Sequence, residues 1–287
     1  MLRRLVARLP IAPLAAPFAA LSAALSVGAP ALAQDRPLSH CIAVARAPGV
    51  ELLHRAAYGD PLPDAYTVRL SYVDHAMFLL EAPGGLTAVT DYNGYVGAVP
   101  PPDVATMNRG HITHWTPDPD AGIAHVLPGW SERPGEPVDH YVDLGDLVVR
   151  TVSTDLRPGQ GGEVNGNAIF VFEAGGLCIG HLGHLHHEPT EDQYAALGRV
   201  DVVMAAVDGG TTLDHPTLAR VLTRLRSSVI VPMHWFGEGT LRRFLDEMGE
   251  SYPVERPGRS DLEVSLNTLP ARPTVIVLEP RFPRMPE

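Results

Sequence analysis

The sequence predicts a single α/β domain behind a short N-terminal arm. Alternating or fully apolar runs, typical of strands, fill most of the region before residue 180. After residue 190, apolar runs alternate with stretches whose apolar residues recur at helical spacing. Composition does not change abruptly after residue 34. We therefore expect an arm at 34–65 and one domain at 66–287.

The strands are predicted from apolar runs that end at Gly, Pro, Asp or Asn. They lie at 67–73, 76–81, 86–90, 103–107, 146–152, 168–173, 177–179, 202–206, 229–232 and 275–278. The segment 115–142 is rich in Pro, Asp and Gly and is predicted to be a long loop, of the kind that forms a lid or a binding wall. Residues 159–166 are predicted to be a glycine-rich connection.

Three helices are predicted after residue 190. Thr190 and Gln193 fit a capping box, in which each side chain satisfies a free backbone N–H of the first turn. Asp214 and Pro216 mark the start of a second helix, with apolar residues at 218, 221, 222 and 225. The same spacing recurs at 241, 244, 245 and 248, and Gly249 ends that helix.

The first 33 residues have the three parts of a secretory signal peptide. Arg3, Arg4 and Arg8 form a basic start, an apolar Ala/Leu-rich stretch follows, and A-L-A at 31–33 is a small-x-small cleavage site. No other apolar stretch is long enough to span a bilayer. We therefore expect a periplasmic or secreted protein that has no membrane association after residues 1–33 are removed.

The charge pattern excludes several classes of function. All 22 basic residues are arginine, set against 33 acidic residues. The absence of lysine excludes Schiff-base chemistry and a P-loop. Removal of three signal-peptide arginines and no acid takes the net charge from −11 to −14, which disfavours nucleic-acid binding. We expect a small molecule as the partner, and the sequence carries no sign of an oligomeric state.

The two cysteines, Cys41 and Cys178, leave two alternatives open. In an exported protein they can form one disulfide, which would tie the arm to the strand at 177–179. They can equally be free buried thiols, because the sequence does not give their separation. Neither belongs to a C-x-x-C pair, so a thiolate zinc knuckle is not indicated.

Histidines dominate the candidate site. The stretch G-H-L-G-H-L-H-H at 180–187 holds four of the 13 histidines and follows a predicted strand. Imidazole is the most common protein ligand for transition metals, although a solvated polar loop is the alternative for this stretch alone. His111, His114, Asp155 and His234 also follow predicted strands. Because strand ends meet at one edge of an α/β sheet, we expect these residues to converge.

In its motifs the chain resembles the metallo-β-lactamase fold superfamily of metal-dependent hydrolases, over roughly residues 66–278. The family motif G-H-A-S-F-L-I-E appears as D-H-A-M-F-L-L-E at 74–81, in a form most similar to the lactonase-like branch. G-N-A matches 166–168, H-x-G-D matches H-L-G-H at 181–184, and P-x-H matches P-M-H at 232–234. The resemblance implies an αββα sandwich with the site at one edge.

Departures from the family motifs change the metal site that the resemblance implies. H-x-H-x-D-H appears as R-G-H-I-T-H at 109–114, with Arg109 in place of the first histidine and Thr113 in place of the aspartate. The aspartate of H-x-G-D is His184, and Asp155 stands where a histidine is expected after the strand at 146–152. One of the two usual metal positions has therefore lost two of its three histidines.

The ligand set that remains is histidine-only. It consists of His114, His184 and His234, with His111 as a further ligand or a hydrogen-bond donor. Three imidazoles with an open fourth position are the arrangement of catalytic zinc, although other divalent transition metals also bind imidazole. Such a site lowers the pKa of bound water to about 7 and so supplies a metal-bound hydroxide. We therefore predict an exported, metal-dependent hydrolase with zinc as the expected cofactor.

Other polar residues are predicted to support this site. Arg109 is expected to bind an anionic group or a developing oxyanion, or else to form an ion pair with Asp91 or Asp155. Asp155 and Asp208 are candidate bases or carboxylates that orient a ligand. The residues expected to orient ligands are His75, Asp91 and His181. The residues expected at the entrance are His186 and His187.

Two other classes of function stay open on the sequence alone. Loss of the family's aspartate, which helps to place the nucleophilic water, favours a relative that binds a metal or an acidic ligand without turnover. Redox chemistry on a bound iron or copper is the third alternative. Metal analysis followed by a panel of lactone, β-lactam and phosphoester substrates distinguishes the three.

Overall fold

The computed structural model of the protein describes residues 39–43, 58–157 and 162–285. The predicted signal peptide and most of the predicted arm lie outside the described residues, as does part of the predicted glycine-rich connection. In the part of the chain that is described, no helix is long and apolar enough to cross a membrane.

The described residues contain four α-helices and fourteen strands, with short 3₁₀ helices at Pro83–Gly85 and Ile112–His114. The helices are α1 His40–Ala43, α2 Glu191–Leu197, α3 His215–Leu225 and α4 Glu238–Met248. The strands are β1 Val68–Asp74, β2 Met77–Glu81, β3 Thr87–Val89, β4 Val104–Met107, β5 His125–Pro128, β6 Tyr141–Asp143, β7 Leu147–Leu156, β8 Glu163–Ala174, β9 Leu177–His181, β10 Val202–Ala206, β11 Val229–Met233, β12 Val254–Glu255, β13 Asp261–Val264 and β14 Thr274–Ile276.

The strands form two sheets. The first has the order β13-β1-β2-β3-β4-β5, antiparallel from β13 to β3 and parallel from β3 to β5. The second has the order β12-β14-β11-β10-β9-β8-β7-β6. Its strands are parallel from β12 to β9 and antiparallel from β9 to β6. Parallel neighbours need long crossovers, and α2 and α3 lie in those that join β9, β10 and β11.

The main core lies between the two sheets. Phe78 and Leu80 of β2 are buried in one cluster with Phe170 and Phe172 of β8 and Met204 of β10. Each fully buried side chain of this size stabilises the fold by about 1.5–3 kcal/mol. The two-sheet sandwich expected from the resemblance is therefore confirmed.

The two outer faces of the sandwich are covered differently. The apolar stripes of α2, α3 and α4 bury the outer face of the second sheet, with Leu222 and Phe244 in one cluster with Val203 and Ile230. On the first sheet, the described residues that cover the outer face belong to loops. The largest of these are Tyr58, Tyr92, Trp115, Ile123 and Trp130. The Pro- and Gly-rich composition of these segments explains why they remain non-helical.

The three predicted helices are confirmed, including their caps. Thr190 accepts a hydrogen bond from the backbone N–H of Gln193, and the Gln193 side chain accepts one from the backbone N–H of Thr190. Asp214 accepts from the backbone N–H of Thr217 and begins α3.

Several predicted boundaries were wrong. The predicted loop at 115–142 contains β5 and the start of β6, and β12 and β13 were not predicted at all. β5, β6 and β12 are short and show no alternation, so their pairing with β4, β7 and β14 decides their structure. β13 (D-L-E-V) does alternate polar and apolar residues, with Leu262 and Val264 in the main core, so its pattern was present in the sequence. β7 is longer than predicted, and Asp155 lies inside it and not beyond its end. β8 begins at Glu163, within the predicted glycine-rich connection.

A disulfide joins Cys41 of α1 to Cys178 of β9, with their Cα atoms 5.7 Å apart. Of the two alternatives for these cysteines, the structure has the disulfide. The backbone carbonyl of Cys41 also accepts a hydrogen bond from the backbone N–H of Arg199 at 2.8 Å. Residues 39–43 are therefore fixed to the start of the strand that ends at His181.

Candidate metal centre

The histidines converge because the strands that carry them end at one edge of the sandwich. In the first sheet, His75 follows β1, Asp91 follows β3, and a short helical turn at Ile112–His114 follows β4. In the second sheet, His184, Asp208 and His234 follow β9, β10 and β11. The site therefore lies where the ends of both sheets meet, as predicted from strand ends alone.

Four histidines form the centre of this cluster. The nitrogen atoms that His75, His111, His114 and His234 can offer to a metal lie within 4.8 Å of one another. Within it, His111 Nε2 and His234 Nε2 lie 3.2 Å apart. His184 lies beside this group, with its ring centroid 5.0–5.2 Å from those of His111, His114 and His234. Three of the four predicted ligands are therefore in this group, His184 lies beside it, and His75 is its fourth member.

The outer nitrogens of four cluster histidines face partners that fix the rings. His114 Nδ1 is hydrogen-bonded to the Asp91 carboxylate, and His111 Nδ1 lies 2.7 Å from Thr113 Oγ1. The remaining pairs are His234 Nδ1 with Asp208 Oδ2 at 3.0 Å and His184 Nδ1 with His186 Nε2 at 2.7 Å. Metal-binding histidines usually show this arrangement, because a partner on one nitrogen directs the other inward.

The inner nitrogens are buried without partners. His114, His184 and His234 are fully inaccessible to solvent, whereas His75 and His111 are partly exposed. Nε2 of His75, His114 and His184 has no hydrogen-bond partner among the described residues. A buried polar atom left in this state costs about 1–3 kcal/mol. Their convergence indicates a site built for a group that accepts nitrogen lone pairs.

The cluster environment favours neutral imidazoles. Burial, followed by the neighbouring His234 and His111 rings, lowers the pKa of His114 to about 2. Burial and the His114 ring likewise lower the pKa of His184 to about 2, and burial and His234 lower that of His75 to about 3. Neutral imidazole is the form that binds a metal, so these rings keep their lone pairs available at neutral and mildly acidic pH.

The two buried carboxylates next to the cluster differ in their surroundings. Burial raises the pKa of Asp91 to about 6, against the opposing effects of His181 and Asn108. Burial acts in the same direction on Asp208, but the close contact with His234 and the hydrogen bonds from Thr212 and Thr211 outweigh it and hold the pKa of Asp208 well below its usual range. These contacts favour the ionised form of Asp208 beside His234.

Three residues of the site hold left-handed backbone conformations. His75, Asp91 and His234 have φ values of 44°, 44° and 60°. For a residue with a Cβ atom, this conformation costs about 1–2 kcal/mol. A hydrogen bond of 2.8 Å from the backbone N–H of His234 to the carbonyl of His75 joins two of these turns. Such local strain is typical of functional sites, and here it places three side chains at the meeting point of the sheets.

The cluster geometry suits a single divalent transition metal. Two nitrogens that bind one tetrahedral zinc ion at about 2.0–2.1 Å lie about 3.3–3.4 Å apart. The distance of 3.2 Å between His111 Nε2 and His234 Nε2 is close to this value. Together with the partnerless Nε2 of His114, these atoms provide a three-histidine set. The all-imidazole donor set suits zinc, copper, iron or nickel and does not suit magnesium or calcium.

The other predicted site residues lie around this cluster at different distances. His181 Nε2 is 2.9 Å from the carbonyl of Ala76 and 4.0 Å from Asp91, consistent with an orienting role. Asp155 accepts the backbone N–H of Asn165, and its own N–H donates to His187. These contacts hold Asp155 in the hairpin of β7 and β8, where its carboxylate accepts from Asn165 and not from a histidine of the cluster.

Arg109 forms an ion pair that differs from the contacts predicted for it. Its guanidinium forms an ion pair of 2.6 Å with Glu163, a partner that the sequence did not indicate, and lies 5.0 Å from the ring of Trp130. Trp130 in turn packs edge-on against Trp115 at 5.9 Å. These residues form one wall beside the site, in which the charge of Arg109 is compensated.

Two residues lie closer to the centre of the cluster than the sequence predicted. His75 was expected only to orient ligands, yet its ring centroid lies 3.9 Å from that of His234. His186 was placed at the entrance, yet it bonds directly to His184. The left-handed turn at residue 75 depends on tertiary contacts, which no sequence pattern displays. For His186, its i+2 spacing from His184 was the available signal.

Comparison with known proteins places the chain in a family. The sequence profile of a beta-lactamase superfamily domain matches residues 69–234, more than half of the chain. The chain therefore belongs to this superfamily. The matched region begins in β1 and ends at His234, so it contains every histidine of the cluster.

Individual relatives agree with this assignment. A UPF0173 protein of Pyrococcus furiosus is 22% identical over 201 residues, which cover 63% of this chain and 90% of the relative. The crystal structure of a candidate zinc-dependent hydrolase of the metallo-β-lactamase superfamily, from Thermotoga maritima, matches with a TM-score of 0.54 at 25% identity. That match covers 74% of this chain and 98% of the other. The fold is thus that of the metallo-β-lactamase superfamily, as the motifs implied.

Proposed function

We propose that this protein is a metal-dependent hydrolase whose cation, zinc in the first instance, is held by His111, His114 and His234. The observation that carries the proposal is the orientation of these three rings. Each has its outer nitrogen beside a fixed oxygen, on Thr113, Asp91 or Asp208, and its inner nitrogen in the cluster. This differs from the set first expected, because His111 lies in the closest group of histidines and His184 beside it.

Held by His111, His114 and His234, a zinc ion would supply Lewis acidity, which in such sites lowers the pKa of water to about 7. The chain's own residues then have to accept and release a proton. Neither carboxylate first considered for this step suits it. Asp155 is bonded into the hairpin of β7 and β8, and Asp208 Oδ1 already accepts three backbone N–H groups.

His184 is the better group for proton transfer. Its Nε2 is buried, faces the cluster and has no hydrogen-bond partner in the described residues. Its Nδ1 shares a hydrogen bond with His186, whose ring is partly exposed. A proton taken up at His184 Nε2 can therefore be matched by one passed from His184 Nδ1 to His186 and then to solvent. A positioned imidazole of this kind contributes about 10²–10⁴-fold to a rate.

The place of action that we propose is outside the cytoplasm. The N-terminal segment has the pattern of a secretory signal peptide. The disulfide between Cys41 and Cys178 supports this, because disulfides persist mainly in oxidising compartments.

Metal analysis and turnover on the same preparation test the proposal. Purified protein is expected to hold stoichiometric metal and to hydrolyse at least one member of a panel of lactone, β-lactam and phosphoester substrates. His114→Ala and His234→Ala are expected to lose both properties. His125→Ala, which removes a histidine of β5 outside the cluster, should keep both. Turnover that survives in both cluster variants would contradict the proposal.

A second function is supported by the position of His75. Its nitrogen belongs to the same group of four as His111, His114 and His234, and four protein ligands close a tetrahedral zinc shell. A closed shell is typical of structural or storage sites and favours a metal binder without turnover. Stoichiometric metal with no hydrolysis across the panel, in both the wild type and His75→Ala, would support this second function.

A further inference from the structure

Asp208 lies in a loop that fixes its carboxylate independently of the histidines. Oδ1 accepts hydrogen bonds from the backbone N–H groups of Gly210 at 3.0 Å, Thr211 at 2.6 Å and Thr212 at 2.9 Å. Oδ2 accepts one from the Thr212 hydroxyl at 2.7 Å. Four donors therefore set the position and the rotation of this carboxylate. One oxygen is saturated, and the other can still accept from a further group.

The loop itself is rigidly placed. It connects β10 to α3, whose first turn is capped by Asp214. Gly209 has a φ of 74°, and a Cβ atom there would lie 2.7 Å from Nε2 of His215. That same nitrogen lies 3.0 Å from the carbonyl of Val207, so it closes the loop on itself. The carboxylate is thus held on a frame that spans from strand to helix.

The second oxygen of Asp208 faces His234. Oδ2 lies 3.0 Å from His234 Nδ1, and the side chains of both residues are fully buried at this contact. The two atoms are at ion-pair distance, but their geometry is not that of an aligned hydrogen bond, and Nδ1 has no other partner among the described residues. Hydrogen bonds of this kind are often poorly aligned in an unliganded site and tighten when the site is filled.

This contact determines which nitrogen of His234 carries the proton and which has a free lone pair. A carboxylate only accepts hydrogen bonds, so an imidazole that meets it through Nδ1 must carry its proton there. The lone pair of a neutral ring is then on Nε2, the atom 3.2 Å from His111 Nε2. Backbone contacts fix the position of residue 234 through the bond to His75, but they do not choose the tautomer.

We propose that Asp208 is a positioning residue that holds His234 in the Nδ1–H tautomer and so directs its Nε2 lone pair at the cation. The proposal rests on the proposed metal site and adds a specific role to a residue outside the group of ligand nitrogens. Removal of such an outer partner typically lowers metal affinity 10–100-fold.

Asp208→Asn is the matched substitution. The three backbone N–H donors require an oxygen, so the Asn carbonyl takes the place of Oδ1 and its NH₂ group faces His234. That NH₂ donates and cannot accept, which favours the opposite tautomer of His234. We expect zinc affinity, measured by competition with a chromophoric chelator, to fall 10–100-fold. Asp214→Asn, which alters an exposed cap on the same loop, should leave affinity unchanged.

A second measurement needs no variant. The ¹⁵N chemical shifts of the histidine rings in the metal-free wild type report which nitrogen of His234 is protonated, with His234→Ala providing the assignment. We expect a protonated Nδ1 and a free Nε2. A protonated Nε2 would overturn the proposal, as would an Asp208→Asn variant whose zinc affinity equals that of the wild type. Wild-type protein that binds no zinc would refute the proposed function, while the shifts would still decide the role of Asp208.

Discussion

Loss of the disulfide between Cys41 and Cys178 is expected to destabilise the protein strongly. The two cysteines are 137 residues apart in sequence. A crosslink that closes a loop of this length lowers the entropy of the unfolded chain, and the loop-entropy relation gives about 5 kcal/mol at 25 °C. For a domain of 150–250 residues, each kcal/mol moves the melting temperature by about 2–4 °C. The expected loss is therefore about 10–20 °C.

The double variant Cys41→Ala/Cys178→Ala is the suitable perturbation, because both cysteines are almost fully buried and are poorly accessible to a reductant in solution. Urea unfolding followed by circular dichroism gives the free-energy difference. Ser39→Ala is the control, since it removes a hydrogen bond to Glu173 from the same segment and leaves the crosslink intact. We expect the control to lose about 1 kcal/mol. A double variant that loses no more than the control would refute the loop-entropy reasoning.

Two further predictions concern the site. Gly110→Ala places a Cβ atom 2.4 Å from the His184 ring, so turnover should fall at least about 100-fold with metal content unchanged. Gly239→Ala is the control and should be neutral, because its Cβ atom would have no neighbour closer than 3.9 Å. Equal turnover in the two variants would contradict the role of His184. Acidification of metal-free protein from pH 7 to pH 5 should lower its stability. In the unfolded chain these histidines take up protons at about pH 6.5, whereas in the folded protein His114 and His184 stay neutral until about pH 2. Between pH 7 and pH 5 this difference lowers the free energy of unfolding by about 2 kcal/mol for each ring. Asp91, whose pKa in the folded protein is raised to about 6, takes up a proton over the same range, which raises the free energy of unfolding by about 1 kcal/mol. Chemical denaturation at both pH values measures the difference, and a stability that rises on acidification would contradict it.

The fold was largely predictable because its strands and helices have strong local patterns. The fully apolar strands β10 and β11 and the stripe of α3 are buried as their sequences require. Missed strands such as β5 and β12 have no such pattern, whereas β13 alternates polar and apolar residues and could have been predicted. β13 pairs with β1, and its Glu263 forms an ion pair with the fully buried Arg69. Only tertiary structure brings those two residues together.

The candidate site was predictable to the level of which residues meet. Motifs and strand ends indicated His111, His114, His184 and His234; three of these are in the group of candidate ligands, and His184 lies beside it. Which ring is a ligand and which a neighbour depends on backbone turns and on partners such as Asp208. The ion pair of Arg109 with Glu163 could not be predicted either, because it depends on how the hairpin of β7 and β8 lies beside the site.

Metal content is the measurement that tests the central claim most directly. Purified protein, dialysed and analysed by inductively coupled plasma mass spectrometry, is expected to contain one transition-metal ion per chain, with zinc the leading candidate. His114→Ala and His234→Ala should retain native circular dichroism and lose the ion, while His125→Ala should keep it. A natively folded wild-type protein that contains no metal, and binds none when zinc, iron or copper is added, would contradict the account.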